Sequence, residues 1–140
     1  VNKPTCTRRI EFDAGHRLQK HESKCRNVHG HRYVVDITCE SESLDEVGRV
    51  IDFSEIKRIV GGWIDDKLDH GFIFEATDPF GLALATIETK VYVVPFSPTA
   101  ENLVVFLAAQ AQFLLKPAGI KVTHVRLYET PNGWADWSAS

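Results

Sequence analysis

The sequence predicts an α+β domain, an antiparallel sheet with two helices on one face, with residues 1–140 forming a single domain. Three observations carry that expectation. Residues 5–14 and 31–40 have the alternation and the β-branched and aromatic content of strands. Two later segments repeat apolar residues at helical spacing. The balance of the 140 residues, 44% hydrophobic and 25% charged, suits one ordinary core that needs neither disulfide nor metal in order to fold.

The elements follow in order. Thr5 to Ala14 sets Ile10 and Phe12 on one face of a first strand. Gln19 to Asn27 is a polar loop, and HRYVVDITCE, residues 31–40, is a second strand. Asp52-x-x-Glu55 resembles a capping box, after which Ile56, Ile59, Val60, Trp63 and Ile64 form one helical stripe. Gly61-Gly62 weakens that helix by up to about 2 kcal/mol relative to alanine but suggests no other pattern. Ile87 to Val94, bounded by Asp78-Pro79 and Pro95, reads as an extra strand. Thr99 caps a second helix with Leu103, Phe106, Leu107 and Leu114 turned inward. Val122, Val125, Leu127 and Glu129 belong to a further strand, and Pro131-Asn132-Gly133 turns it into Trp134–Trp137.

Composition excludes several functions. Sixteen basic and nineteen acidic residues give a net charge of −3, which argues against a nucleic-acid partner held by a basic face. No apolar run approaches the roughly 20 residues of a membrane span. Val1-Asn2-Lys3-Pro4 has no apolar leader core, and the missing Met reads as a trimmed start. Cys6, Cys25 and Cys39 are odd in number and form no CxxC pair, so reduced thiols in a cytoplasmic protein are expected. Cys6 and Cys39 read as small strand hydrophobes, and Trp63, Trp134 and Trp137 as core or interface residues.

Four of the six histidines fall between positions 16 and 31. His29 and His31 are two apart on a strand and point to one face, and His16 ends the strand expected to return beside them. Three converging imidazoles are a common zinc set that leaves a fourth position open. Cys25 allows two readings: a fourth ligand closing a structural site, or a free thiol beside a dication, activated as base or nucleophile. Asp69-His70 reads either as a helix-terminal dipole contact or as a carboxylate-held imidazole that relays protons. Glu129 is a solvated strand residue or, pointing into a cleft, a partner for two adjacent N–H groups of a planar heterocycle. His21 and His124 have no partner pattern and read as loop and strand surface residues. Residues 16–31 also contain Arg17, Lys20, Lys24 and Arg26 against the single acid Glu22, a local charge of +3 that suits either plain solvation or a phosphate chain. A cupin-type metal site is a poor match, because residue 35 is Val and residue 36 Asp where a glutamate is wanted.

Phe12-Asp13-Ala14-Gly15-His16-Arg17-Leu18, Cys25-x-x-x-His29-Gly30-His31, Leu68-Asp69-His70, Pro98-Thr99-Ala100-Glu101-Asn102 and Tyr128-Glu129-Thr130 together resemble the 6-pyruvoyl-tetrahydropterin synthase family, in order and over most of the chain. The resemblance implies the tunnelling fold, in which trimers, often paired into hexamers, close a β-barrel with active sites between subunits. It implies Zn2+ on His16, His29 and His31, a proton-abstracting thiol at Cys25, a relay of Asp69 and His70, and a pterin anchor at Glu129 that is also grouped with the relay. Three residues between Cys25 and His29 resemble the bacterial 6-carboxytetrahydropterin synthases; the animal-type pyruvoyl synthases place five there. The implied reaction is a lyase step on 7,8-dihydroneopterin triphosphate that releases triphosphate and acetaldehyde. The rivals are 6-pyruvoyltetrahydropterin production on the same fold and a non-catalytic zinc module. The chain departs from the family pattern in a longer stretch at about 75–96, and in Gly15 and Gly71.

Overall fold

A computed structural model describes residues 3–140; Val1 and Asn2, the start of the segment read as lacking a leader core, lie outside the described residues. The elements run β1 (Cys6–His16), β2 (His29–Ser41), α1 (Phe53–Ile56), a π turn (Lys57–Gly61), α2 (Gly62–Lys67), β3 (Gly71–Glu75), α3 (Pro79–Leu84), β4 (Val91–Val94), α4 (Ala100–Leu115), β5 (Ile120–Thr130) and β6 (Gly133–Ser138). The strands lie in the order β4-β3-β1-β2-β5-β6.

The expected antiparallel sheet needs one correction. β1, β2, β5 and β6 are antiparallel neighbours, but β3 pairs parallel to both β1 and β4, so the sheet is mixed. β3, the stretch Gly-Phe-Ile-Phe-Glu, is a strand that the sequence pattern does not predict. Its first four residues are all buried, so it shows no alternation for a period-2 reading to find. A parallel partner requires a crossover, and the chain between β3 and β4 supplies it, with α3 inside it. Gly81 of α3 sits against the Phe74 ring so closely that a Cβ there would fall 2.1 Å from ring carbons. The sheet of one chain is open, with β4 and β6 at its edges; it does not close into a barrel.

Alternation assigns each strand two faces. Ile10, Phe12 and Ala14 of β1, Tyr33, Val35, Ile37 and Cys39 of β2, and Val125 and Leu127 of β5 are buried in one core. The helices cover that face. Ile56, Val60, Ile64 and Leu68 enter the core at a strict spacing of four. An ideal α-helix drifts about 40° over each such step, and the wider π turn takes up the drift. Asp52 caps α1 by accepting from the Ser54 N–H, whereas Glu55 does not close a capping box and pairs with Arg58. Ile59 and Trp63, expected inward, flank the core as partly buried residues. Thr99 caps α4 by accepting from the Asn102 N–H, and Leu103, Val104, Leu107, Ala108, Ala111 and Leu115 are buried. Leu115 therefore takes the inner place expected of Leu114, and Phe106 packs at the rim with Trp63, Tyr92 and Phe96.

Candidate metal centre and active site

The same alternation that builds the core builds the site. His16 continues the inward row of β1, His29 and His31 continue that of β2 past Tyr33, and Glu129 follows Leu127 on β5. In register His16 faces His29 and Ala14 faces His31, so the core of aliphatic and aromatic side chains ends in three imidazoles. One ligand atom from each ring lies within 4.8 Å of the others. The ring of His16 is edge-on to those of His29 and His31, at 4.6 and 5.0 Å between centroids.

Hydrogen bonds fix which nitrogen is free in two of the rings, His16 and His29. His16 Nδ1 lies 2.8 Å from the Pro98 carbonyl, and His29 Nδ1 lies 2.8 Å from the Asn27 carbonyl. A carbonyl only accepts, so both Nδ1 atoms carry the proton and both Nε2 atoms keep a lone pair. Those two Nε2 atoms are 3.0 Å apart. Two lone pairs at that distance repel unless a cation stands between them. A proton is disfavoured, because burial, and then the neighbouring His29 and His31, push His16 down to about 4 despite the Pro98 carbonyl. His31 is likewise pushed down, by burial first and His29 second. The donor set thus suits a divalent metal that prefers neutral imidazoles, and zinc fits it. Tyr33 Oη lies 3.2 Å from His16 Nδ1, and burial, aided by Glu129, pushes its own ionisation upward.

Glu129 closes the group, with Oε1 4.0 Å from His16 Nε2 and Oε2 3.8 Å from His31 Nε2. Burial, and then the charge of Glu101, raises its pKa, partly opposed by His29. Cys25 is a free, half-buried thiol on the wall of a cavity of about 430 Å3 shared with Lys24, Asn27, His29 and His31. Its sulfur is not part of the three-histidine group, so a closed four-ligand site is not what the chain presents. The loop bearing it is fastened: the Leu18 N–H donates to the Cys25 carbonyl, and Arg17 forms a bidentate pair with the buried Asp78 at 2.8 and 2.6 Å. Arg17 is therefore spent on Asp78 and leaves Lys20, Lys24 and Arg26 as the exposed cations of the basic loop.

Asp69 and His70 lie in the turn after α2, not at the end of a continuous helix, and His70 has a φ of 61°. Their side chains pair at 2.8 Å through His70 Nδ1, and Asp69 also accepts from the Asp13 N–H at 2.9 Å. Burial pushes Asp69 upward, but the Asp13 N–H, His70 and Lys90 outweigh it and hold the carboxyl below its usual range. His70 lines a different cavity from Cys25, with Asp13, Gly15, Gly30 and Arg32 among its neighbours. One chain therefore gathers His16, His29, His31, Glu129 and Cys25, and holds the Asp69–His70 pair apart from the thiol. Of the two histidines read as unpartnered, His21 accepts from the Ser23 N–H and His124 pairs with Asp136 at 2.9 Å. The orienting carbonyls of Pro98 and Asn27 and the role of Asp78 carry no signal in the sequence. Every residue has a carbonyl, and no residue type marks one that will face a ring.

A family model described as 6-pyruvoyl tetrahydropterin synthase matches residues 5–140. A 6-carboxy-5,6,7,8-tetrahydropterin synthase of Rickettsia bellii is 43% identical over 130 residues, covering 91% of this chain and 94% of the relative. Among solved structures, an uncharacterized protein from Wolinella succinogenes superposes with a TM-score of 0.87 at 25% identity, covering 100% of both chains. The 6-pyruvoyl tetrahydropterin synthase of Caenorhabditis elegans shares the fold, with a TM-score of 0.72 at 22% identity, over 100% of this chain and 98% of that one.

Proposed function

The chain belongs to the 6-pyruvoyl tetrahydropterin synthase family, and from that premise we propose that it is a 6-carboxy-5,6,7,8-tetrahydropterin synthase, the activity for which its relatives are named. The substrates are 7,8-dihydroneopterin triphosphate and water, and the products are 6-carboxy-5,6,7,8-tetrahydropterin, acetaldehyde and triphosphate. One observation carries the reading. Imidazoles whose Nδ1 atoms are tied to carbonyls present unspent Nε2 lone pairs to one point, with a free thiol on the wall of the same cavity.

His16, His29 and His31 are the residues that would hold the zinc. When bound, zinc supplies Lewis acidity to the side-chain hydroxyls of the substrate. Cys25 takes the proton from the neighbouring carbon as general base. Asp69 holds His70 by its Nδ1, which leaves Nε2 to pass a proton to or from the thiol. Glu129 accepts hydrogen bonds from two adjacent N–H groups of the pterin ring and so fixes which carbon meets the thiol.

Because His70 and the Cys25 thiol line different cavities of one chain, with only His31 common to both, we assign them to a site shared between copies, in a homo-trimer or homo-hexamer. Two edges support this. β6 has no outer neighbour, and β1 pairs with β3 only at Ala14 and Gly15, leaving its earlier residues without a strand on that side among the described residues. Three copies joined along these edges close the barrel that a single chain leaves open. Residues 1–140 then act as one pterin synthase domain. Three free thiols suit the reducing cytoplasm, and among the described residues no helix is long and apolar enough to cross a membrane.

The test is direct. Zinc-loaded protein is incubated with 7,8-dihydroneopterin triphosphate and the products are separated. Acetaldehyde with a carboxypterin is expected. A pyruvoyl pterin moves the chain to the other branch of the family, and no turnover overturns both readings.

A further inference from the structure

His70 is held in a backbone conformation that few side chains adopt, with a φ of 61°. The peptide group joining Asp69 to His70 is gripped at both polar atoms. Its N–H, on His70, donates to the Asp13 carbonyl at 2.7 Å. Its C=O, on Asp69, accepts from Lys90 Nζ at 2.5 Å, and the same ammonium donates to the Asp65 carbonyl at 2.8 Å. Lys90 thereby satisfies two carbonyls left over at the C-terminal end of α2, where a positive charge is favoured. The lysine is itself fixed, since its own carbonyl accepts from the Phe72 N–H at 3.1 Å. Gly71 makes room for it. A Cβ at position 71 would lie 3.3 Å from Lys90 Cγ and 3.1 Å from the Leu68 carbonyl oxygen.

We infer that Lys90, in the crossover between β3 and β4, is a positioning residue for the Asp69–His70 relay, acting by locking the peptide plane between them. The inference rests on the relay role proposed above for that pair. The long stretch between β3 and β4 thereby gains a role, since it carries the cation that sets the imidazole direction. Without Lys90 the Asp13 bond alone holds that plane, and His70, whose side chain is 76% exposed, has little packing to keep it in place. Arginine at position 90 keeps a cationic donor within reach of the same carbonyls, with a broader head; methionine keeps the stem and loses the donor.

The experiment compares K90M and K90R with the parent as zinc-loaded protein, by turnover and by the imidazole proton resonances of His70. In K90M the resonances of His70 should move and broaden. The value of kcat should fall about tenfold or more, with KM and bound zinc unchanged. K90R should recover most of the loss. Unmoved His70 resonances in K90M, or a kcat loss that comes with zinc loss and is not rescued by K90R, would overturn the assignment. If the parent protein itself fails to turn over, the proposed function falls and the ring resonances alone decide: moved in K90M, they support the contact; unmoved, they refute it.

Discussion

The two faces of the sheet are made by the same strands and differ in how their polar groups are spent. On the face away from the helices, Arg9, Asp36, Arg126 and Asp136 stand in register across β1, β2, β5 and β6, alternating in sign. Arg9 grips Asp36 at 2.8 and 2.9 Å, and Arg126 meets Asp136 at 2.8 Å. Arg126 also lies 4.9 Å from the centre of the Trp134 ring. Each charge is answered by a neighbour within the sheet. On the helix-covered face the polar residues are fewer, and His16 among them is nearly dry. His16 is 1% exposed, and its Nε2 finds only another lone pair. Chemistry belongs where polar atoms are held without a complete answer, because there a bound group gains what the protein itself has not supplied.

Substitutions can break that contrast. The largest effect is expected for His29→Ala, which removes one of the two carbonyl-oriented rings. Both stoichiometric zinc and turnover should be lost, as read by metal analysis and product assay; full zinc occupancy would refute the ligand assignment. Cys25→Ala should keep zinc and lower turnover by about 10²- to 10⁴-fold, the usual range for removing a general base. Zinc loss in that variant would instead favour a structural site.

A smaller effect is expected from pH on the metal-free protein. The folded chain holds His16 down to about 4, whereas an unfolded histidine takes up its proton near 6.5. The contribution is complete above pH 6.5 and is lost as pH falls toward 4, because the unfolded state binds the proton first. The loss amounts to about 3 kcal/mol, measurable by urea denaturation of stripped protein at a series of pH values. His16→Asn should flatten that slope. The smallest effect should come from the open face. Asp36→Asn removes the charge but keeps one acceptor oxygen for Arg9, which also lies over the Tyr128 ring, and the melting temperature should move by no more than about 4 °C. A much larger shift would erase the distinction between the faces.

The contrast also separates what the sequence announces from what it conceals. Strands with one wet and one dry face alternate visibly, which is why β1, β2 and β5 are legible, and with them the convergence of His16, His29 and His31. β3 is buried on both faces and has nothing to alternate, so its parallel pairing is hidden. Leu114 and Leu115 are equally apolar, and only the winding of α4 decides between them. Arg17 reads as one cation of a basic loop because its partner, Asp78, is 61 positions away and looks in the sequence like a boundary before Pro79. The Cys25–His70 relationship is the remaining gap. A motif shared with a family names both residues, but a single chain keeps them in separate cavities.

The carbonyls that orient His16 and His29 have an evolutionary consequence. They belong to the backbone of Pro98 and Asn27, not to their side chains. Mutation at those two positions leaves the acceptor in place as long as the local chain path survives. The tautomers of both rings are thus insulated from sequence drift at their orienting partners. A histidine oriented by an aspartate would lose its tautomer with a single codon change. Here the tautomers depend on the path of the chain at Pro98 and Asn27, and not on the chemistry of those two side chains.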